Sequence, residues 1–375
     1  MDFPIYPTYE ETYFLERLNR FVMLLRRKNG ETIRAHVPNT GRMEEFCFEG
    51  RPFFVTPLHN RKYSYKVVAT RYHEQFVFLD TLKTNELFAQ LLLTNEIPQF
   101  QNVTDIRREV TFGDSRFDFT FSRAHEKIIA EIKSCTLCHS TLAMFPDAPT
   151  LRGQKHLNVL EHLSIKKCFT SYVIFLILNA SAERFMPNFH TDFDYSRSFL
   201  AIKNVHLKAF TVNFIDPVTA DLSSLQEVPI DLAATEKHCR NTGSYLLILE
   251  NIEDRTVSVG KLGEIFFQKG WYVYAGSAMN ALDARLKRHQ RKRKKKRWHI
   301  DYIASTLMKV KKVYPIRKSE RIESELARAI EKICDSSIQH FGSSDAREDS
   351  HLFYFTSAPW KNPAFIEEIL TVRHI

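Results

Sequence analysis

Three residues carry the most suggestive chemistry in this sequence: Asp118, Glu131 and Lys133. Asp118 lies in Ser115-Arg-Phe-Asp-Phe-Thr-Phe121. This alternation predicts a strand with Phe117, Phe119 and Phe121 facing the core and Asp118 facing the other way. A carboxylate flanked by phenylalanines is costly unless it is solvated, paired or bound to a cation. Glu131 and Lys133 are two residues apart in Ile128-Ile-Ala-Glu-Ile-Lys133. A strand puts both on one face and turns Ile132 into the core. A tight hairpin at Arg123-Ala-His-Glu126 lays the two strands side by side, so the trio converges. Two hard carboxylates suit Mg²⁺ (or Mn²⁺), a cation that offsets phosphate charge and helps generate hydroxide. A nearby lysine orients the water or stabilises developing charge. With Asp118 and Glu131 as metal ligands, the trio points to phosphodiester hydrolysis. An ion-paired sheet face is the structural alternative.

The elements that must position this trio are legible in outline. Residues 1–80 hold short apolar runs separated by turn signals such as Lys28-Asn-Gly30 and Pro38-Asn-Thr-Gly41, which predicts a small β-barrel. From Thr84 the periodicity becomes helical. Strands are expected at 107–112, 116–121 and 127–134, a helix at 152–162, and further strands at 172–178 and 205–212. Alternating strands and helices indicate an α/β sheet. In the helix, Gln154, Asn158 and Glu161 share a face, and Lys155 lies beside them. Gln154 suits the orientation of a substrate or a metal-bound water, and Lys155 suits a phosphate. A solvated face packed by Leu157 and Leu160 is the other reading.

Five segments together suggest a family. Pro38-Asn-Thr-Gly-Arg-Met43, Arg116-Phe-Asp-Phe119, Glu131-Ile-Lys133, Phe145-Pro-Asp-Ala148 and Arg152-Gly-Gln-Lys-His-Leu157 resemble, in order and spacing, the sugar fermentation stimulation protein A (SfsA) family over about residues 1–232. The Asp…Glu-x-Lys spacing also resembles the PD-(D/E)XK nuclease superfamily. The resemblance implies an N-terminal OB-like domain followed by a PD-(D/E)XK-type nuclease core, with Asp118, Glu131 and Lys133 as the catalytic centre. It adds Glu109 as a further acidic group and Gln154 and Lys155 beside the site. Family members look like DNA- or RNA-cleaving nucleases, and some were described as DNA-binding regulators of sugar metabolism. One departure is Cys135-Thr-Leu-Cys138, where an Asn/Val/Thr-like stretch is expected. In the Pro-Asn-Thr-Gly motif, Asn39 and Arg42 are expected to face nucleic acid, while Pro38 and Gly41 have turn roles.

Beyond the polar stretch 233–242 the chain changes character. Gly243-Ser-Tyr245, then Trp271-Tyr-Val-Tyr274-Ala-Gly276, Arg285, His289 and Glu323 resemble the GIY-YIG nuclease superfamily over about residues 240–358. The resemblance implies that Tyr245 and Tyr274 position or deprotonate a water, that Arg285 contacts the scissile phosphate and that Glu323 holds one Mg²⁺. Ser244 and Ala275 replace apolar residues of the usual signature. Glu325 competes with Glu323, and Ala346 stands where a cysteine is expected. An inactive DNA-anchoring domain and a second nuclease both remain open. Helices are expected near 299–307 and 319–334. Lys287 and Arg288 lead into the run Arg291-Lys-Arg-Lys-Lys-Lys-Arg297, and with Arg291, Lys292, Arg293 and Lys294 they suit sequence-independent capture of phosphates.

The whole chain fits this picture. Its 375 residues suit two or three domains. The expected division is 1–82 (OB-like barrel), 83–236 (nuclease-like) and 240–375 (GIY-YIG-like), an α/β multidomain class. The net charge of +9 favours polyanionic partners, nucleic acid first. Binding to an anionic membrane surface would rest on the charge run alone. The first residues have neither a basic start nor an apolar run, so no secretory signal is expected, and 172–178 is too short to span a bilayer. A cytoplasmic location and six reduced cysteines follow as expectations. Cys135-Thr-Leu-Cys138-His139 spells a haem-attachment motif, but haem attachment needs export, and no second Cys pair supports zinc. Incidental thiols are the preferred reading. The overall expectation is a metal-dependent DNA or RNA nuclease. The alternative is a non-catalytic DNA-binding regulator linked to sugar metabolism. Oligomeric state is left open.

Overall fold

The computed structural model describes residues 1–58, 62–342 and 349–374. Ala346 therefore lies outside the described residues. The chain forms two compact units, Met1–Thr235 and Glu236–Ile375. Their division falls inside the short helix Leu232–His238.

The first unit begins with a barrel. Its strands are β1 (Glu10–Asn19), β2 (Val22–Arg27), β3 (Thr32–His36), β4 (Pro52–Pro57), β5 (Tyr65–Tyr72) and β6 (Gln75–Phe78). β1 pairs with β2 and β4, β2 with β3, and β4 with β5. A short parallel pairing of β3 with β5 closes five strands on themselves. Closure removes the sheet edge. Alternate inward residues such as Met23, Leu25, Phe53, Val55 and Val67 fill the interior.

A seven-stranded sheet follows the helix α1 (Thr84–Leu93). Its elements are β7 (Thr104–Phe112), β8 (Ser115–Arg123), β9 (Glu126–Cys135), α2 (Leu151–Ile165), β10 (Thr170–Ile177), α3 (Phe193–Ala201), β11 (Val205–Asp216) and β12 (Thr219–Glu227). The strand order is Asp2–Pro4, β12, β11, β10, β9, β8, β7. The three central strands β9, β10 and β11 are parallel, and the flanking pairs are antiparallel. β10 is buried along almost its whole length, as a parallel strand covered on both faces must be. Two apolar clusters cover the sheet. One includes α1 with Leu87, Phe88 and Leu91, and the other includes α2 and α3 with Leu157, Leu160 and Phe199.

One expectation fails in an instructive place. Phe119 and Phe121 join the α1 cluster, but Phe117 joins the α2 cluster. The three phenylalanines do not share a face. The β8–β9 ladder ends at the pair Phe119↔Ala130. Beyond it the Ile132 amide donates to Asp118 Oδ2 at 2.8 Å. The side chain has taken over a hydrogen bond that a regular ladder would give to backbone, and the alternation breaks there.

The second unit is built on a five-stranded sheet. Its elements are β13 (Gly243–Asn251), β14 (Gly270–Ala278), α4 (Leu282–Gln290), α5 (His299–Ala304), β15 (Lys309–Arg317), α6 (Glu323–Glu331), β16 (Ser336–Ser337), β17 (Leu352–Phe355) and α7 (Pro363–Arg373). The order is β15-β13-β14-β17-β16, antiparallel throughout. The helix expected from residue 319 begins at Glu323, because Ser319 and Ile322 are held outside it by His238 and Ser244. No helix among the described residues is long and apolar enough to cross a membrane.

Candidate active site

The open end of the β8–β9 pair brings the central trio together. Asp118 accepts from the Ile132 amide and, at 2.7 Å, from Asn85 Nδ2 on α1. Glu131 is only 3% exposed. Its Oε1 receives Lys133 Nζ at 2.5 Å and faces His156 Nδ1 at 2.6 Å. Its Oε2 is buried and has no hydrogen-bond partner among the described residues. Burial, then the neighbouring Glu131 charge, pushes the Asp118 carboxyl up to about 6. Burial also works to raise Glu131, but the hydrogen bond from His156 and the Lys133 charge outweigh it, and its carboxyl lies below the usual range. Two carboxylates thus meet in a mostly buried place with one oxygen left bare.

His156 is the residue that sequence reasoning missed. Gln154, Asn158 and Glu161 lie on the outward face of α2. The inward face carries Gly153, His156, Leu157 and Leu160. An imidazole on an otherwise apolar helical stripe was the available signal. Tyr195 of α3 is also fully buried, and its hydroxyl has no partner among the described residues. Gly153 makes room for that ring, because a Cβ there would lie 3.0 Å from the Tyr195 ring and 2.8 Å from Thr150 Cγ2.

Several expected site residues are engaged elsewhere. Gln154 Nε2 reaches Asp192 Oδ1 at 3.5 Å, and no contact joins it to the carboxylate pair. Lys155 is held by Asp114 at 2.6 Å, an exposed pair of small energetic worth. Glu161 binds the 203–204 backbone and has a structural role. Glu109 is exposed on edge strand β7, paired with Arg116. Asn39 was expected to face nucleic acid, but it is buried. Its oxygen receives the Gly41 amide at 2.8 Å and its amide reaches Thr136 Oγ1 at 3.3 Å. Gly41 is required there, since a Cβ would lie 2.6 Å from Asp147 Oδ2. Arg42 remains exposed. Cys135 and Cys138 are buried, and burial pushes the Cys138 thiol to about 12, so neither is a ready nucleophile.

The second unit holds its own cavity of about 650 Å³, lined by Tyr245, Tyr274, Arg285, His289 and Glu323 among others. The five residues singled out by sequence therefore meet. Tyr245 Oη lies 2.8 Å from His289 Nε2. Glu323 accepts from Ser277 Oγ and faces His351 Nδ1 at 3.3 Å. Glu325 is exposed and does not line this cavity. Arg285 lies over the Trp298 ring at 4.0 Å. Burial raises both tyrosine hydroxyls, so they stay protonated and suit positioning better than proton abstraction.

Gly276 packs tightly against Tyr245. A Cβ on it would lie 2.6 Å from Tyr245 Oη. Gly276→Ala is therefore expected to break the Tyr245–His289 contact and destabilise this unit by about 1–3 kcal/mol, an overpacking cost. Denaturant unfolding measures the loss. A wild-type midpoint would show that the tyrosine has room to move.

His289 gives a pH dependence. Burial, with the neighbouring Lys294 charge, lowers its imidazole to about 3. The unfolded chain protonates near 6.5, so it binds the extra proton first on acidification. Stability is complete above pH 6.5 and is lost as pH falls towards 3. At pH 5 the loss is roughly 2 kcal/mol. His289→Gln should flatten this slope in melts of the chain between pH 7 and 5. An unchanged slope would assign the acid sensitivity to other groups.

The basic run is not a free charged tail. Arg288 makes two bonds to Asp301 at 2.8 and 2.9 Å, and Lys294 lies 3.7 Å from the same carboxylate. Lys294 also donates to the His289 carbonyl. Arg288 and Lys294, expected to bind phosphates, are held instead by the buried Asp301. Lys287, Arg291, Lys292 and Arg293 stay exposed.

Residues 15–79 match the SfsA N-terminal OB domain, and 82–216 match the sugar fermentation stimulation protein RE domain. A sugar fermentation stimulation protein homolog from Desulforamulus reducens is 35% identical over 195 residues, covering 52% of this chain and 81% of that protein. The chain belongs to the sugar fermentation stimulation protein family. A further homolog from Methanothermobacter thermautotrophicus is 32% identical and covers 52% of this chain and 79% of its own. The solved structure of Pyrococcus furiosus SfsA in complex with Ca²⁺ shares 25% identity at a TM-score of 0.54, covering 61% of this chain and 99% of that one. Residues 244–372 match a domain of unknown function, DUF123. This SfsA-family chain thus carries an additional C-terminal domain.

Proposed function

We propose that the central domain is a divalent-cation-dependent nuclease hydrolysing phosphodiester bonds of DNA or RNA. The observation that carries this reading is the bare, buried Oε2 of Glu131 beside a second carboxylate, Asp118. Such a pair is costly as it stands and fits a cation. No group of three or more His, Cys, Asp or Glu side chains among the described residues is placed to hold a metal. Two carboxylates suit Mg²⁺ or Mn²⁺, whose remaining positions go to water and substrate oxygens, better than they suit zinc. When bound, the cation supplies charge neutralisation at the phosphate and a more acidic water. Asp118 and Glu131 would hold it. Lys133, already beside Glu131, supplies an ammonium for the attacking water or the phosphate oxygen. Ca²⁺ in the Pyrococcus furiosus relative supports a hard-cation site. The OB barrel, exposed Arg42 and the exposed part of the basic run support nucleic acid as the polymer.

A second centre in the DUF123 unit is favoured by the meeting of Tyr245, Tyr274, Arg285, His289 and Glu323 around one cavity. There Arg285 and a Glu323-bound Mg²⁺ would share the phosphate charge. The rival reading is a non-catalytic DNA-binding regulator, and its tie to sugar metabolism rests on the family name. Binding alone gives no reason to bury a bare carboxylate oxygen.

The test is cleavage of single- and double-stranded DNA and RNA with Mg²⁺ or Mn²⁺ by wild type, Glu131→Gln and Glu323→Gln. Loss confined to Glu131→Gln supports the central site, and loss confined to Glu323→Gln transfers the activity to the DUF123 unit. Tight binding without cleavage by folded wild type supports the regulator.

A further inference from the structure

We infer that His156 is the positioning residue of the central site, holding the Glu131 carboxylate so that Oε2 is the oxygen left for the divalent cation. The inference rests on the metal-dependent reading above and adds a role for a side chain outside the Asp…Glu-x-Lys trio.

The geometry is asymmetric. Oε1 of Glu131 faces two donors, Lys133 Nζ at 2.5 Å and His156 Nδ1 at 2.6 Å. Oε2 has none and is buried. A buried carboxylate with hydrogen bonds on only one oxygen is costly unless something cationic takes the other.

The imidazole is itself held. Arg152 Nε, one helical turn earlier, donates to Nε2 at 3.4 Å. A nitrogen that accepts from arginine carries no proton, so the neutral ring carries its proton on Nδ1 and donates it to Glu131. The Phe117 ring, 5.1 Å away, packs against the imidazole. Phe117 reaches it because the β8 alternation breaks at Asp118. The same irregularity that frees the carboxylates therefore supplies packing for the histidine. Partners of this kind orient metal ligands, and losing one typically costs roughly 10–100-fold in metal affinity.

The two nitrogens give a test that simple packing does not mimic. The side-chain amide nitrogen of Asn reaches about where Nδ1 lies, and that of Gln about where Nε2 lies. Mn²⁺ binding to the full chain is measured for wild type, His156→Asn, His156→Gln and His156→Leu, with Glu131→Gln marking the site. The expected result is near-wild-type affinity for His156→Asn and roughly 10–100-fold weaker binding for His156→Gln and His156→Leu. In cleavage, kcat should follow the metal affinity while KM for nucleic acid holds. Wild-type Mn²⁺ affinity in His156→Leu overturns the inference. So does an equal loss in all three variants that tracks their melting temperatures. If wild type itself has no Glu131-dependent Mn²⁺ site, the proposed function falls first, and this inference with it.

Discussion

Asp118→Asn is expected to abolish metal-dependent cleavage while making the metal-free chain more stable. The folded chain holds the Asp118 proton up to about pH 6, chiefly because the carboxyl is buried and then because Glu131 is close. An unfolded aspartate releases it near 3.9. Between these values the folded state binds more protons, so stability falls as pH rises through roughly 4 to 6. The full deficit is present at neutral pH and amounts to at most about 3 kcal/mol. Asparagine removes the charge yet keeps an oxygen for the Ile132 amide. It sacrifices part of the bond from Asn85, which reduces the expected gain to about 1–2 kcal/mol. Cleavage should drop by at least roughly 10²–10³-fold, the scale of losing one charge-stabilising group. Melting in a chelator at pH 7.5 and at pH 4 reads the first effect, and the variant's advantage should be gone at the lower pH. A variant that is destabilised at pH 7.5 would mean that Asp118 serves the fold. Retained cleavage would remove it from the site.

Asp301→Ala should produce the largest loss of stability in the C-terminal unit. Asp301 is fully buried and is shared by Arg288, Lys294 and the amides of Arg297 and Trp298. Its carboxyl lies below the usual range because Arg288 and the two amides outweigh the burial that would raise it. Removing it strands two cations, at a cost of roughly 3–5 kcal/mol. It also releases the start of α5 and with it Trp298, over which Arg285 and Arg288 both lie. Denaturant unfolding should show an early transition of this unit, with Met1–Thr235 unaffected. A loss below about 1 kcal/mol would show that these cations are adequately solvated without it.

Much of the fold was legible because it depends on local patterning. Alternating apolar runs with Asn-Gly-type turns announce a barrel, and the fully apolar 172–178 segment announces a buried central strand. The trio was legible too, since two residues along a strand share a face. Of the two readings of α2, the structure shows the one packed by Leu157 and Leu160. Leu157 and Leu160 mark the buried stripe, and the same spacing puts His156 on it. Gln154 and Glu161 lie on the outward face, where polar groups look available whether or not they serve a site.

By itself, then, the sequence determined the residue types at the central site, the strands and helices that carry them, and the density of positive charge after Arg285. Tertiary structure decided which of those charges are free. Arg288 and Lys294 are consumed by Asp301, a single buried acid whose partners cannot be read from spacing. Asn39 is consumed by Gly41 and Thr136, the latter almost a hundred residues away. Tertiary structure also decided that Phe117 leaves the face of Phe119, because the Asp118 carboxylate, rather than backbone, takes the Ile132 amide. Periodicity records the preferred side of each residue in a regular ladder. Where a side chain replaces backbone in that ladder, only the folded chain shows which oxygen of Glu131 is left bare.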